Sequence, residues 1–178
     1  MMAALKSSSL RGELRSNEMM SRHTTWRVGG PAKRFYMPAD LADLSVFLSQ
    51  QDENETIVWL GLGSNVLISD QGINGTVIAT SGLLNEMGLA SENQVRVEAG
   101  VACAKVAKFC ARNQLRGVEF LAGIPGTMGG ALAMNAGAFG GEIWQYVTAV
   151  ETMDRHGQIK LRQPSEFEVG YRTVKGLN

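Results

Sequence analysis

Apolar positions along this chain recur in two rhythms, that of a helix and that of a strand, and each change of rhythm marks an element. From Asp40 the pattern is helical. Leu41, Leu44, Phe47 and Leu48 share one face, Asp40 opens the pattern, and Asp43 falls in the first turn. A second helical stretch covers Ala102 to Asn113, with Cys103, Val106, Ala107 and Cys110 on one side. Elsewhere the rhythm shortens. Thr56 to Leu60 is a β-rich run closing at Gly61, and Val66 to Ser69 and Thr76 to Ala79 are two more. Gln94 to Ala99 alternates polar and apolar, as a half-buried strand does. Tyr146 to Met153 reads as strand, Asp154 to Gly157 as a turn, and Ile159 to Arg162 as the returning partner. Strands and helices mix without a regular βαβ alternation, so the pattern predicts an α+β architecture rather than a doubly wound sheet.

The 178 residues suit one domain or two small subdomains and can bury a real core. A net charge of zero leaves no electrostatic footprint for nucleic acid or an anionic membrane. Cys103 and Cys110 would lie about 10 Å apart along a helix, too far for a disulfide, and read as small buried hydrophobes in a reducing compartment. His23 and His156 are the two histidines, and no Cys/His spacing suggests a metal site. Residues 1–22 are polar and serine-rich, without the apolar core of a signal peptide; they read as a flexible tail, with a cytoplasmic address.

One block breaks both rhythms. From Phe120 to Gly141 the chain runs 22 residues without a charge, FLAGIPGTMGGALAMNAGAFGG, with seven glycines and Thr127 and Asn135 as its polar side chains. A stretch so poor in side chains exposes backbone N–H groups that can approach a ligand closely. The block is long enough for a membrane span, but Pro125, Asn135 and the glycines lower its helix propensity and hydrophobicity, and no basic cluster flanks it. A second glycine run, Gly61-Leu62-Gly63-Ser64-Asn65, follows the TIVWL strand. It lacks the third glycine of a dinucleotide fingerprint, since Val66 stands there, and an apolar run rather than a helix follows. No GxxxxGK[ST] sequence occurs either. What remains is a nest, in which the N–H groups of Gly63, Ser64 and Asn65 could take an anion. Two uncharged backbone sites some 60 residues apart suit one large ligand with a pyrophosphate.

Four ordered motifs then become specific: Thr25-Trp26-Arg27-Val28-Gly29-Gly30-Pro31-Ala32, GLGSNVL, GIPGTMGGALAMNAGAFGGEI, and Gly170-Tyr171-Arg172. In order and spacing, from about His23 to Arg172, the chain resembles the UDP-N-acetylenolpyruvoylglucosamine reductase family. The resemblance implies the FAD-binding domain of the vanillyl-alcohol-oxidase (PCMH) type, built from two α+β subdomains with FAD between them. These are expected over residues 23–80 and 81–178. By similarity, Gly61, Gly63, Ser64, Asn65 and Val66 would hold the FAD pyrophosphate. Gly123, Ile124, Pro125, Gly126, Thr127, Gly129 and Gly130 would pass close to the pyrophosphate and isoalloxazine, with Asn135, Gly137 and Ala138 continuing that wall.

The family reaction, in peptidoglycan precursor synthesis, has two halves: NADPH passes a hydride to FAD, and the reduced flavin passes one to the enolpyruvyl group of UDP-GlcNAc-enolpyruvate. Negative charge builds on the substrate carboxylate, and a guanidinium can stabilise it through two parallel donors. The resemblance assigns that role to Arg172, with Tyr171 shaping the substrate site. The partner it implies is thus a UDP-linked amino sugar. In the family a proton-donating Ser and an assisting Glu lie in a C-terminal domain well past the Tyr-Arg pair, whereas this sequence ends six residues after Arg172. The chain is therefore expected to be a flavin-binding fragment with little or no turnover, lacking the C-terminal substrate-binding domain. The rivals are another flavin oxidoreductase of the same fold and a non-catalytic flavin-binding domain.

Overall fold

A computed structural model describes residues 10–177. The first half is a four-stranded sheet in the order β1 (Glu13–Met19), β2 (Pro31–Met37), β4 (Ile73–Ala79), β3 (Ile57–Leu60), with helix α1 (Leu41–Ser49) between β2 and β3 in sequence. β1 and β2 are antiparallel; β2–β4 and β4–β3 are parallel, with Phe35 opposite Val77 and Trp59 opposite Ile78. Both faces of the inner strands are covered, and adjacent residues therefore point into different clusters. Tyr36 and Ile78 pack with Leu44, Phe47 and Leu48 of α1, whereas Phe35 and Val77 pack with Met20, Ala32 and Leu60. The Tyr36 ring stacks on Phe47 at 3.7 Å between centroids.

Helix α1 begins as its sequence predicts. Asp40 caps it, accepting from the Asp43 N–H at 2.8 Å. Asp43 is buried, and its carboxylate accepts from Tyr36 Oη at 2.5 Å, Arg11 N at 2.7 Å and Ala39 N at 2.9 Å. The Arg11 contact belongs to the segment read as a tail, and that reading needs correction. Residues 13–22 form edge strand β1 and a 3-10 turn whose Met20 is fully buried. Residues 1–9 lie outside the described residues.

The second half gathers around a separate cluster, containing Val101, Cys103, Val106, Cys110, Phe120, Leu121 and Ile143. It is built by hairpin β5–β6 (Met87–Ser91, Gln94–Val97), helix α2 (Cys103–Arg112), short helix α3 (Met128–Ala133) and the two-residue strands β7 (Gly137–Ala138) and β8 (Gly141–Glu142). Both cysteines are free and buried, and burial pushes the Cys103 thiol up to about 11. Hairpin β9–β10 (Val150–Met153, Ile159–Arg162) ties this half to the first. Ser45 Oγ donates to Gly157 O at 2.7 Å, and Arg155 Nη1 donates to the carbonyls of Glu53 and Glu55, both at 3.0 Å. A last hairpin, β11–β12 (Phe167–Gly170, Thr173–Gly176), turns through Tyr171 and Arg172.

Two strand expectations differ. Val66 to Ser69 is not strand: Ser69 O accepts from the N–H groups of Gly30 and Gly72, and Ile68 packs beside Gly29, so the segment lies against a loop and has no neighbouring strand. Tyr146 to Ala149 precedes the strand that starts at Val150. The charge-free block folds as a 3-10 turn, α3 and the β7–β8 hairpin. Among the described residues no helix is long and apolar enough to cross a membrane, and no group of three or more His, Cys, Asp or Glu side chains could hold a metal ion.

Candidate functional site

Strand β3 delivers the chain at its C-terminal end into the Gly61–Val66 turn. Gly63 sits there at φ +69, and a Cβ on it would fall 2.0 Å from His23 O. Only glycine fits so close to that backbone in that conformation. The Thr25 N–H donates to Gly63 O at 2.9 Å, so the Thr24–Gly30 loop backs the turn from behind. The N–H groups of Gly63, Ser64 and Asn65 donate to no protein acceptor among the described residues.

Facing this turn is the start of α3. The segment before it pairs with the entry to α2, Cys103 N–H donating to Gly126 O and Met128 N–H to Val101 O, both at 2.9 Å. That pairing fixes Thr127, which is 1 % exposed. Its Oγ1 is the buried side-chain oxygen left without a partner among the described residues. A Cβ on Gly61 would lie 2.5 Å from that oxygen, and one on Gly126 would lie 4.0 Å from Ser64 Oγ. The two glycine runs therefore face each other across one cleft, of about 940 Å³, within the size range of small-molecule and cofactor sites.

Gly61, Gly63, Ser64, Asn65, Val66, Gly123, Ile124, Pro125, Gly126, Thr127, Gly130, Asn135, Gly137, Ala138, Tyr171 and Arg172 all line this cleft. Gly129 does not. It packs against Ala99, which a Cβ would meet at 2.9 Å, and its N–H is taken by Ala99 O at 2.8 Å. Arg172 arrives from the β11–β12 turn in a left-handed conformation, φ 54°, and its Nη2 donates to Asn65 Oδ1 at 2.9 Å. Tyr171 beside it is 86 % exposed. Asn135, buried and also left-handed at φ 42°, donates through Nδ2 to Glu142 Oε2 at 2.9 Å and to Gly170 O at 3.4 Å, while its Oδ1 accepts from Trp144 N at 3.4 Å. It thus pins the hairpin carrying Arg172 to the end of α3.

Trp59, Met134, Glu142 and Gln145 also line the cleft, and sequence reasoning did not single them out. Glu142 had a signal, as the first charge after the 22-residue neutral block. Trp59 had none, being one apolar residue of an apolar strand.

The fit to a flavin dinucleotide rests on donor chemistry. Free backbone N–H groups and an unpartnered buried hydroxyl line a cleft with no lysine and one arginine, which suits a pyrophosphate held by neutral donors. Residues 32–161 match the family model described as "FAD binding domain". A UDP-N-acetylenolpyruvoylglucosamine reductase of Nitrosococcus oceani is 58% identical over 175 residues, covering 98% of this chain and 59% of the relative. The protein of the same name from Legionella pneumophila is 60% identical over 166 residues, 93% of this chain and 54% of its own. The crystal structure of UDP-N-acetylenolpyruvylglucosamine reductase from Thermus caldophilus aligns with a TM-score of 0.71 at 30% identity, over 93% of this chain and 57% of that one.

The chain belongs to the FAD-binding domain family, and nearly all of it is similar to UDP-N-acetylenolpyruvoylglucosamine reductases. It spans 54% and 59% of the length of these two curated relatives.

Proposed function

We propose that this segment is the flavin-binding part of an NADPH-dependent UDP-N-acetylmuramate dehydrogenase acting in the cytoplasm on enolpyruvyl-UDP-GlcNAc. Bound FAD would supply hydride transfer, from NADPH to the enolpyruvyl double bond. The residues present would do the rest of what this segment can do. The N–H groups of Gly63, Ser64 and Asn65 and the Thr127 hydroxyl would hold the pyrophosphate, and Gly123 to Gly126 would let the cofactor lie close to backbone. Arg172 would bind the substrate carboxylate, its guanidinium held at the cleft edge by Asn65, and would stabilise the charge that develops there.

The observation that carries this reading is the unpartnered Thr127 hydroxyl between two glycine runs, in a cleft whose single arginine is Arg172. The test is substrate-dependent NADPH oxidation by a polypeptide joining this segment to the remaining length its relatives carry. Arg172→Gln should lower kcat by about a hundredfold or more, the scale of losing one charge-stabilising donor, while leaving FAD bound. Unchanged kcat in that variant contradicts the assignment. Full reductase activity in the 178-residue chain alone contradicts the division of labour.

A further inference from the structure

Two charged side chains line the cleft, Arg172 and Glu142. Neither forms an ion pair with the other or with any further group among the described residues. Each is instead held by an asparagine from the wall: Arg172 by Asn65 Oδ1 and Glu142 by Asn135 Nδ2, both at 2.9 Å. The arginine has an evident use in a cleft that takes anions. The carboxylate does not, since it repels a pyrophosphate, and a negative charge retained there calls for a compensating donor on the ligand.

The wall is shaped to keep it. Asn135, nearly completely buried and in a left-handed backbone conformation uncommon for a side-chain-bearing residue, makes the shortest of its three hydrogen bonds to Glu142 Oε2. Gly137 lets β8 close against β7, since a Cβ there would stand 2.5 Å from Gly141 O and 3.1 Å from Glu142 Cγ, so the glutamate follows in a tightly packed hairpin. Glu142 Oε1 has no protein donor among the described residues. A fixed carboxylate with one free oxygen facing a ligand cleft is an acceptor for a neutral N–H or O–H group.

We propose that Glu142 is a positioning residue for the flavin: its free oxygen accepts a hydrogen bond from a neutral donor of the isoalloxazine–ribityl portion, an imide N–H or a hydroxyl. The cleft then has two polarities, N–H donors and Arg172 for anionic groups and Glu142 for an uncharged donor. This rests on the flavin-binding reading of the cleft, and the test separates the two. FAD, riboflavin and ADP are titrated into the chain and into Glu142→Gln, which keeps the size and can still accept from Asn135.

FAD and riboflavin affinity should fall by about tenfold or more, as for loss of a charge-assisted hydrogen bond, while ADP affinity stays level. Glu142→Asp, which keeps the charge but withdraws it by one methylene, should lose in the same direction. FAD affinity that rises or stays level in Glu142→Gln overturns the proposal, because the carboxylate then only repels. An equal loss for ADP also overturns it, because the wall has then collapsed as a whole. Absence of FAD binding to the unaltered chain contradicts the flavin reading itself.

Discussion

Gly126 and Gly63 line the same cleft and are glycine for different reasons. A Cβ on Gly63 would strike His23 O at 2.0 Å in a left-handed conformation. Gly63→Ala should therefore destabilise the free protein by about 2 kcal/mol or more, read as a lower urea midpoint. Around Gly126 a Cβ meets only ordinary contacts, Ile124 Cγ2 at 3.7 Å and Ser64 Oγ at 4.0 Å. Its space is the cleft. Gly126→Ala should leave the melting temperature unchanged and weaken FAD binding by about tenfold, the cost of a clash near 1.4 kcal/mol. A fall in melting temperature with FAD affinity intact would show Gly126 to be a packing glycine, as Gly129 is against Ala99. Sequence motifs alone did not separate Gly129 from its neighbours, because the contact that distinguishes it comes from a segment 30 residues away.

At the scale of elements, α1 shows how acid should act on the fold. Burial pushes the Asp43 carboxyl up, but hydrogen bonds from Tyr36 and from the Arg11 and Ala39 N–H groups outweigh it, and its pKa lies below the ordinary value. A depressed pKa contributes stability above the unfolded carboxylate range, near pH 4, and that contribution is lost as pH falls through the folded value. Asp40 is shifted the same way, by its hydrogen bond with Arg11, and so is Glu18, by its hydrogen bond with His23. The urea midpoint should fall below about pH 4. Asp43→Asn should cost about 2–3 kcal/mol at neutral pH and flatten that acid limb. An unchanged acid limb in the variant would remove Asp43 from the account.

Helices α1 and α2 were legible because their apolar faces and the Asp40 cap are local signals. β1 was not. Its residues are exposed on both sides apart from Glu18 and the half-buried Arg15, so it carries no alternation and is held by pairing with β2. β2 was hidden for the opposite reason, since Phe35 and Tyr36 are both buried, one on each face. Val66 to Ser69 has the composition of a strand and no strand beside it. The cleft's backbone donors were readable from glycine content and its arginine from the family resemblance, but Glu142 needed the asparagine that holds it.

In the molecule as a whole, the three apolar clusters are not independent. Leu84, beyond the first sheet, belongs to the cluster under α1, and Met153 of β9 packs against it. Arg155 and Ser45 add polar ties between the halves. Unfolding should accordingly be one cooperative transition, with far-ultraviolet circular dichroism and tryptophan fluorescence coincident, since Trp59 and Trp144 report on different halves. Two separated transitions would mean that the ties between the halves contribute little. Because the cleft is walled by both halves, a ligand filling it should raise the melting temperature of the whole chain.

The most direct measurement is calorimetric titration of FAD into the chain. One saturable site per chain, competed by ADP and weakened in Gly126→Ala, is the predicted result. No saturable heat, or binding that Gly126→Ala leaves unchanged, would contradict placing the cofactor between the two glycine runs.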